Sequence, residues 1–417
     1  MGLKNDYNML NIRDFGVLSS GDIKSRAKQF SAYTKESEEM KYLTYFTKSQ
    51  SNIGSRITLS IPEIGLQTKE YINFASNDYL GFSSCQETIE AGIAALSEYG
   101  TGCCAASIIG GYTELHRALE TSIASFLGYE DALICSSGFG INEGVLQTLM
   151  GKQDIAFIDT AIHASALSGL HTTNTKYIGH NDPDYLDFVL KRFNARYRTR
   201  LVIIDGVYSQ EGDLAKLPEI IEIVKKHGAY LMVDYAHGIG VLGEHGRGTL
   251  SHYAIHGQGN VDILTGTLSK SFGTVGGFVC ASGELISYLR YFVPNSVFSA
   301  APTPQATASA LKALEIMDKD STRQKRLWEN IGLFKKALLK QNISFGATES
   351  AIFPLRPKNR EKYIKETSSE LLREGFFAPG ILYPAVKEND PRIRAGILAT
   401  HTEEDILNFA DALNRIL

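Results

Sequence analysis

Lys270 stands in the run Thr267-Leu268-Ser269-Lys270-Ser271-Phe272-Gly273-Thr274-Val275-Gly276-Gly277, a setting foreign to an ordinary surface lysine. The apolar, β-rich segment Val261-Asp262-Ile263-Leu264 leads in. Hydroxyls recur at Thr265, Thr267, Ser269, Ser271 and Thr274, and no charge follows until Glu284. An amine held among such residues loses hydration, which favours its neutral form and so a nucleophile able to form a Schiff base with a carbonyl. The neighbouring hydroxyls and glycine amides suit a phosphate. The competing reading is a lysine that simply ends a buried strand.

Other residues extend that chemistry. Asp234 closes the apolar stretch Ala229-Tyr230-Leu231-Met232-Val233. Such a carboxylate either caps the next helix or pairs with a protonated ring nitrogen. In pyridoxal phosphate enzymes the second arrangement keeps the pyridinium charged, so that the ring acts as an electron sink. His237, three residues on, is in reach of a phenolic or carbonyl oxygen. His163, in Asp159-Thr160-Ala161-Ile162-His163-Ala164-Ser165, is either a hydrogen-bonded structural residue or a ring that stacks on a flat cofactor. Ser137-Gly138-Phe139-Gly140-Ile141-Asn142 reads as a strand-to-helix turn whose free amides suit a phosphate. In Pro391-Arg392-Ile393-Arg394-Ala395-Gly396-Ile397 two arginines fall on one side of a strand. A guanidinium there clamps a carboxylate bidentately, unless it serves only the surface.

Short apolar runs alternate with amphipathic stretches. Asp131–Cys135, Ile155–Asp159, Leu201–Asp205, Tyr230–Asp234, Ile263–Gly266 and Gly277–Cys280 read as strands. Thr113–Leu127, Gly140–Met150, Tyr185–Phe193 and Pro218–Lys226 read as the helices between them. This alternation predicts an α/β fold with a mostly parallel, doubly wound sheet. Ligands bind such sheets outside the carboxyl ends of the strands. Ser136-Ser137-Gly138, Asp159 with His163, Asp205, and Asp234 with His237 all fall at those ends. After about residue 302, helices at Ala306–Met317, Arg323–Leu339 and near Arg360–Glu374 join extended stretches at Ser344–Leu355 and Arg392–Ala399. The expected organisation is an N-terminal arm over 1–70 (with the polar stretch Lys48–Arg56) packed on the main body, a large domain over 71–301, and a small C-terminal α+β domain over 302–417.

The composition narrows the classes. In 417 residues, 43% hydrophobic and 21% charged, a sizeable core is feasible and global disorder is excluded. The 42 basic and 46 acidic residues give a net charge of −4 with no basic run, which speaks against a nucleic-acid partner. Five cysteines without paired C-x-x-C spacing point to reduced thiols, no metal site and a cytoplasmic setting. Met1-Gly2-Leu3-Lys4-Asn5-Asp6 has neither the apolar core of a secretory leader nor the hydroxyl a myristoylation signal needs at position 6. The uncharged stretch Tyr291–Leu311 is broken by Pro294, Pro302 and Pro304 and reads as a buried crossing segment rather than a transmembrane helix.

Six runs, in order, carry a resemblance: Ser76-Asn77-Asp78-Tyr79-Leu80-Gly81, His163-Ala164-Ser165, Asp205-Gly206-Val207-Tyr208-Ser209, Val233-Asp234-Tyr235-Ala236-His237-Gly238-Ile239-Gly240-Val241-Leu242-Gly243, His245-Gly246-Arg247-Gly248 and Thr267-Leu268-Ser269-Lys270. From about residue 70 to 402 the chain resembles the α-oxoamine synthases, fold-type-I enzymes that use pyridoxal 5'-phosphate (PLP). The resemblance implies a decarboxylative Claisen condensation between a small amino acid and an acyl thioester, delivered by coenzyme A or an acyl carrier protein, to give a 2-amino ketone. It implies that Lys270 bonds the cofactor and moves the Cα proton, that Asp234 partners the ring nitrogen and that His163 stacks on the ring. His237 and Ser209 would meet its oxygen side. Ser137, Gly138, Phe139, Thr267 and Ser269 would surround the phosphate, with Ser299 donated across a homodimer interface. Asn77, Ser107 and Arg394 would face the substrate, Arg394 taking its carboxylate.

The serines flanking Lys270 are similar to those of serine palmitoyltransferases, whereas Ser76-Asn77-Asp78-Tyr79-Leu80-Gly81 equally resembles the 8-amino-7-oxononanoate synthases. A long-chain acyltransferase for serine or a serine-like amino acid such as cysteate, in sphingolipid-like lipid synthesis, is therefore expected. The alternatives are alanine with a pimeloyl thioester and glycine with acetyl-CoA. Two departures stand out: Ser107 or Ile108 replaces a family arginine, and Tyr235 an acidic residue. An aminotransferase, or an inactive partner subunit, is the competing class. The chain has no Asn-Pro-x-Gly turn, its next arginine after the lysine is Arg290, and Lys270 is present.

Overall fold

The computed structural model describes residues 21–40, 45–62, 65–193, 196–357 and 362–417. The reading of the chain start at residues 1–6 lies outside them. Helix α1 (Ile23–Glu39) precedes the short strands β1 (Lys48–Ser49), β2 (Arg56–Ile61) and β3 (Leu66–Asn73). Helices α2 (Gln86–Tyr99) and α3 (Glu114–Leu127) lead to β4 (Asp131–Cys135), α4 (Gly138–Leu149), β5 (Ile155–Asp159), α5 (Ala164–Gly169), β6 (Asn174–Ile178), α6 (Pro183–Arg192), β7 (Arg200–Asp205), α7 (Leu217–His227) and β8 (Tyr230–Asp234). Then come α8 (Thr249–His252), β9 (Ile263–Thr267), β10 (Gly277–Ala281), α9 (Gly283–Phe292), α10 (Pro294–Val297), α11 (Pro304–Lys319) and α12 (Thr322–Lys340). The chain ends through β11 (Ile352–Leu355), α13 (Lys362–Arg373), β12 (Phe376–Phe377), β13 (Gly380–Ile381), β14 (Arg392–Gly396) and α14 (Glu403–Ile416). Arg360 and Glu361, inside the expected last-but-one helix, fall outside the described residues.

Strands β4 to β10 form one sheet in the order β4-β10-β9-β8-β7-β5-β6. All neighbours are parallel except β10, which runs antiparallel to both β4 and β9. Strands β5, β9 and β10 are buried at every position, which is why they read as unbroken apolar or small-residue runs rather than alternating ones. The edge strand β6 was not anticipated: in Asn174-Thr175-Lys176-Tyr177-Ile178 only Ile178 is buried, so no apolar run marks it.

The chain divides into two compact units, Asn77–Leu327 and the residues up to Ser76 with Trp328–Leu417. Both expected boundaries therefore move. Residues 48–73 are not an arm on the large domain, because β3 pairs in parallel with β12 and shares a sheet with the C-terminal part of the chain. Residues 302–327 stay with the large unit because α11 packs along α2 and α3. Nor is Tyr291–Leu311 buried throughout: Tyr291, Phe292 and Phe298 are exposed. Among the described residues no helix is long and apolar enough to cross a membrane.

The smaller unit is centred on Phe74, which stacks on Phe409 at 3.8 Å and on His401 at 4.4 Å between ring centroids. His401 accepts from Leu398 N–H at Nδ1 and donates from Nε2 to the Asn73 carbonyl, a neutral tautomer. Burial pushes its pKa down to about 4.

In the larger unit, a clasp outside the cavity ties three loops together. Asp159, at the end of β5, accepts from Ala161 N–H and His180 Nδ1 at Oδ1, and from Tyr208 Oη and Asn181 N–H at Oδ2. His180 Nε2 reaches Asp213 at 3.1 Å. Hydrogen bonds to Asp159 and then Asp213 raise the His180 pKa to about 10 against burial. A raised histidine pKa stabilises the fold fully below the unfolded value near 6.5, and the contribution is lost as pH rises through about 10. We expect His180→Gln to lower Tm by roughly 2–4 °C at pH 6, given about 1 kcal/mol for a partly exposed charged pair. That difference should close towards pH 10 in melts recorded across pH; a gap independent of pH would refute the ionic role.

Candidate active site

The carboxyl ends of β7, β8 and β9 and the amino end of α4 enclose a cavity of about 270 Å³. Most of its walls were anticipated: Ser137, Gly138, Phe139, His163, Ser209, Asp234, His237, Thr267, Ser269 and Lys270 all line it.

The α4 end is built for an anion. Ser137 caps the helix, its Oγ accepting from Gly140 N–H at 2.9 Å. Residue 138 has to be glycine, since a Cβ there would lie 2.7 Å from the Thr267 Cβ. The Thr267 and Ser269 hydroxyls lie 2.7 Å apart beside that helix end. Free first-turn amides, the positive end of the helix dipole and two hydroxyls converge as a phosphate requires.

Across the cavity, Asp234 is 7% exposed. Its Oδ2 accepts from Asn142 Nδ2 at 2.7 Å and its Oδ1 from Ala236 N–H at 2.8 Å. Asn142 Nδ2 also donates to Ser165 Oγ at 2.9 Å, and Ser165 Oγ lies 2.7 Å from His163 Nδ1. One amide thus links the carboxylate to the imidazole. His163 itself caps α5, accepting from Ser165 N–H, and burial lowers its pKa despite the pull of Asp234. A neutral ring in this position is free to lie against a flat partner.

Lys270 Nζ sits 2.8 Å from His237 Nε2, and His237 Nδ1 sits 2.7 Å from the Tyr79 hydroxyl, which donates to Asn77 Oδ1 at 3.3 Å. With that donation, the Tyr79 oxygen receives Nδ1–H and leaves Nε2 as the acceptor for the amine. The loop carrying Lys270 is held firmly. Ser271 Oγ donates to the Ile239 carbonyl, and Gly273, at φ +67°, lies so close to Ser83 that a Cβ would meet its nitrogen at 2.2 Å. Asp78 anchors that neighbouring turn through the Phe82 and Ser83 N–H groups and the Ser83 hydroxyl.

Sequence reasoning gave no role to Tyr79, Asn142 and Ser165, and noted Asp205 only as a strand-end acid. The signal was present: Asn142 is one helical turn beyond Gly138, Ser165 is two residues beyond His163, and Asp205 ends a strand. Ser271, read as informative about the substrate, is buried and spent on Ile239. Tyr235 is also buried, and its hydroxyl accepts from Leu250 N–H. It lines a different cavity from Lys270, so the departure there is a matter of packing. Asn77 joins the site through Tyr79. Ser107 and Ser299 do not line the cavity of their own chain, and Ser299 is exposed. Arg394 lies on β14 of the other unit, two residues from Arg392, which is held by Asp390.

The residues fit PLP: a helix end for its phosphate, a buried carboxylate for its ring nitrogen, an imidazole for its face and an amine for its aldehyde. The chain belongs to the aminotransferase class I and II family, whose model matches residues 69–413, and so to the fold-type-I enzymes that depend on PLP. It is similar to serine palmitoyltransferase of Sphingobacterium spiritivorum, 36% identical over 401 residues, or 96% of this chain and 98% of that one. It is also similar to 8-amino-7-oxononanoate synthase 1 of Bacillus subtilis strain 168, 37% identical over 356 residues, covering 85% and 90%. A solved serine palmitoyltransferase with its PLP internal aldimine superposes with a TM-score of 0.88 at 26% identity, over 95% of this chain and 98% of that one. These relatives are α-oxoamine synthases, and the chain is likewise a PLP-dependent acyltransferase that performs a decarboxylative Claisen condensation.

Proposed function

We propose that the chain condenses serine, or a serine-like amino acid such as cysteate, with a long-chain acyl thioester, as a cytoplasmic homodimer serving sphingolipid-like lipid synthesis. The observation that supports this reading most is structural: the solved serine palmitoyltransferase superposes with a TM-score of 0.88 over 95% of this chain, against 0.70 over 83% for a solved 8-amino-7-oxononanoate synthase of Francisella tularensis. Alanine with a pimeloyl thioester is the second reading, favoured by the Bacillus subtilis enzyme's identity of 37% against 36% for the serine palmitoyltransferase of Sphingobacterium spiritivorum.

Bound PLP supplies the electron sink that makes loss of the Cα proton feasible. Lys270 holds it, then takes the Cα proton at Nζ and returns it after carbon dioxide has left. His237 keeps that amine oriented through Nε2, backed by Tyr79 and Asn77. Asp234 holds the proton on the ring nitrogen, while His163 covers the ring. Ser209 meets the ring's oxygen side. Ser137, Gly138, Phe139, Thr267 and Ser269 bind the phosphate. Asn77 orients the amino acid, and Arg394 is the guanidinium whose chemistry suits its carboxylate. Exposed Tyr291, Phe292 and Phe298, beside Ser299, support a homodimer in which Ser299 serves the neighbouring subunit.

The test is a matrix of glycine, alanine, serine and cysteate against acyl donors of graded length on coenzyme A and acyl carrier protein. We expect the highest kcat/KM for serine or cysteate with a long chain; a preference for alanine with pimeloyl thioester would overturn the reading.

A further inference from the structure

Asp205 ends β7 in register with Asp234 on β8, and both residues line the same cavity. Neighbouring strands lie about 4.8 Å apart, so two buried acids face one another across a single rung of the sheet. Asp205 is 3% exposed. Two carboxylates so placed do not both ionise; one holds a proton.

Hydrogen bonding decides which. Asp234 has a donor on each oxygen, Asn142 Nδ2 and Ala236 N–H. Asp205 receives the His163 backbone N–H, and its Oδ1 is buried without a partner. An ionised oxygen left so is costly, whereas a protonated one is a donor awaiting an acceptor. The charged groups around it agree. Asp234 on β8 and Asp159 on β5 both oppose its ionisation, while Lys270, after β9, and the His163 N–H favour it. Burial, ahead of all of these, drives the Asp205 carboxyl well above the usual carboxylate range.

We propose that Asp205 is a neutral carboxylic acid that lines the coenzyme cavity as a hydrogen-bond donor and leaves Asp234 as the anion at the sheet end. This rests on the PLP reading above only for what occupies the cavity. The proton keeps the floor of the site at one negative charge rather than two, and makes the Asp205 carboxyl a hydrogen-bond donor at the wall of the coenzyme cavity.

Asparagine reproduces a neutral acid in shape and as a donor; leucine reproduces only the shape. The apo protein and its Asp205→Asn variant are first compared by difference infrared spectroscopy. Loss of a carboxylic-acid C=O band supports the assignment, and loss of an ionised-carboxylate band overturns it, whether or not PLP binds. Titration with PLP follows, read by tryptophan quenching and visible absorbance. Asp205→Asn should keep the coenzyme Kd within about threefold, and Asp205→Leu should weaken it roughly ten- to a hundredfold. Equal weakening in both variants would mean that a carboxylate is needed, and no weakening in Asp205→Leu would mean that packing suffices; either overturns the proposal. Wild-type protein that fails to bind PLP would instead sink the proposed function, with the infrared result standing independently. If Asp205→Leu does not fold, the infrared comparison and Asp205→Asn still decide.

Discussion

Lys270→Ala should yield a folded protein without the visible absorbance of lysine-bound PLP and with turnover reduced on the order of 10⁴-fold. The side chain is only partly buried, and the loop that carries it is held by other atoms: the Ser271 hydroxyl, the close approach of Gly273 to Ser83 and the Thr267 contacts. Truncation therefore removes an amine without freeing the backbone. No other amine is among the residues that line the cavity, so no neighbour re-forms the bond to PLP. Absorbance spectra and steady-state rates of the purified variant check this. A variant that kept its rate within tenfold would remove Lys270 from the chemistry.

Asp234→Asn should lower turnover by about 10²–10³-fold and weaken PLP binding, while leaving the thermal melt within a few degrees of wild type. The two substitutions differ in kind. Both oxygens of Asp234 accept hydrogen bonds, so an amide at that position turns one nitrogen towards a donor, either Asn142 Nδ2 or Ala236 N–H. The mismatch costs roughly 1–3 kcal/mol. The larger loss is electrostatic: a neutral amide leaves the ring nitrogen unprotonated and the electron sink weak. Rates measured with and without excess PLP separate binding from chemistry. Full activity at saturating PLP would show that this carboxylate is not the ring's partner.

The larger unit was legible because its sheet is buried on both faces. A strand such as Ile155–Asp159 has no option but to be apolar throughout, and its closing acid then stands out. β6 was silent for the opposite reason, as an exposed edge whose polar residues resemble a loop. The pairing of β3 with β12 joins residues about 300 positions apart, and no local pattern announces such a contact. In the site, glycine next to serine at a strand end, and an acid or histidine closing an apolar run, were readable as chemistry. Asn142 and Ser165 were not, because a buried amide or hydroxyl has no distinctive neighbours in sequence; its meaning comes from what it touches. The hydroxyl at Ser271 is of the same kind, since its partner is a backbone carbonyl.

Asn142 has a consequence for how this site can change over generations. Its one amide nitrogen serves both Asp234 and Ser165, and through Ser165 it reaches His163, so the carboxylate and the imidazole proposed for the edge and the face of the ring depend on a shared donor. Replacements at these four positions are therefore epistatic: each alone strands a donor or acceptor that the others had satisfied. A lineage drifting one residue at a time meets a valley here. The tetrad is inherited as a block or abandoned as one, while the acyl and amino-acid preferences remain free to diverge around it.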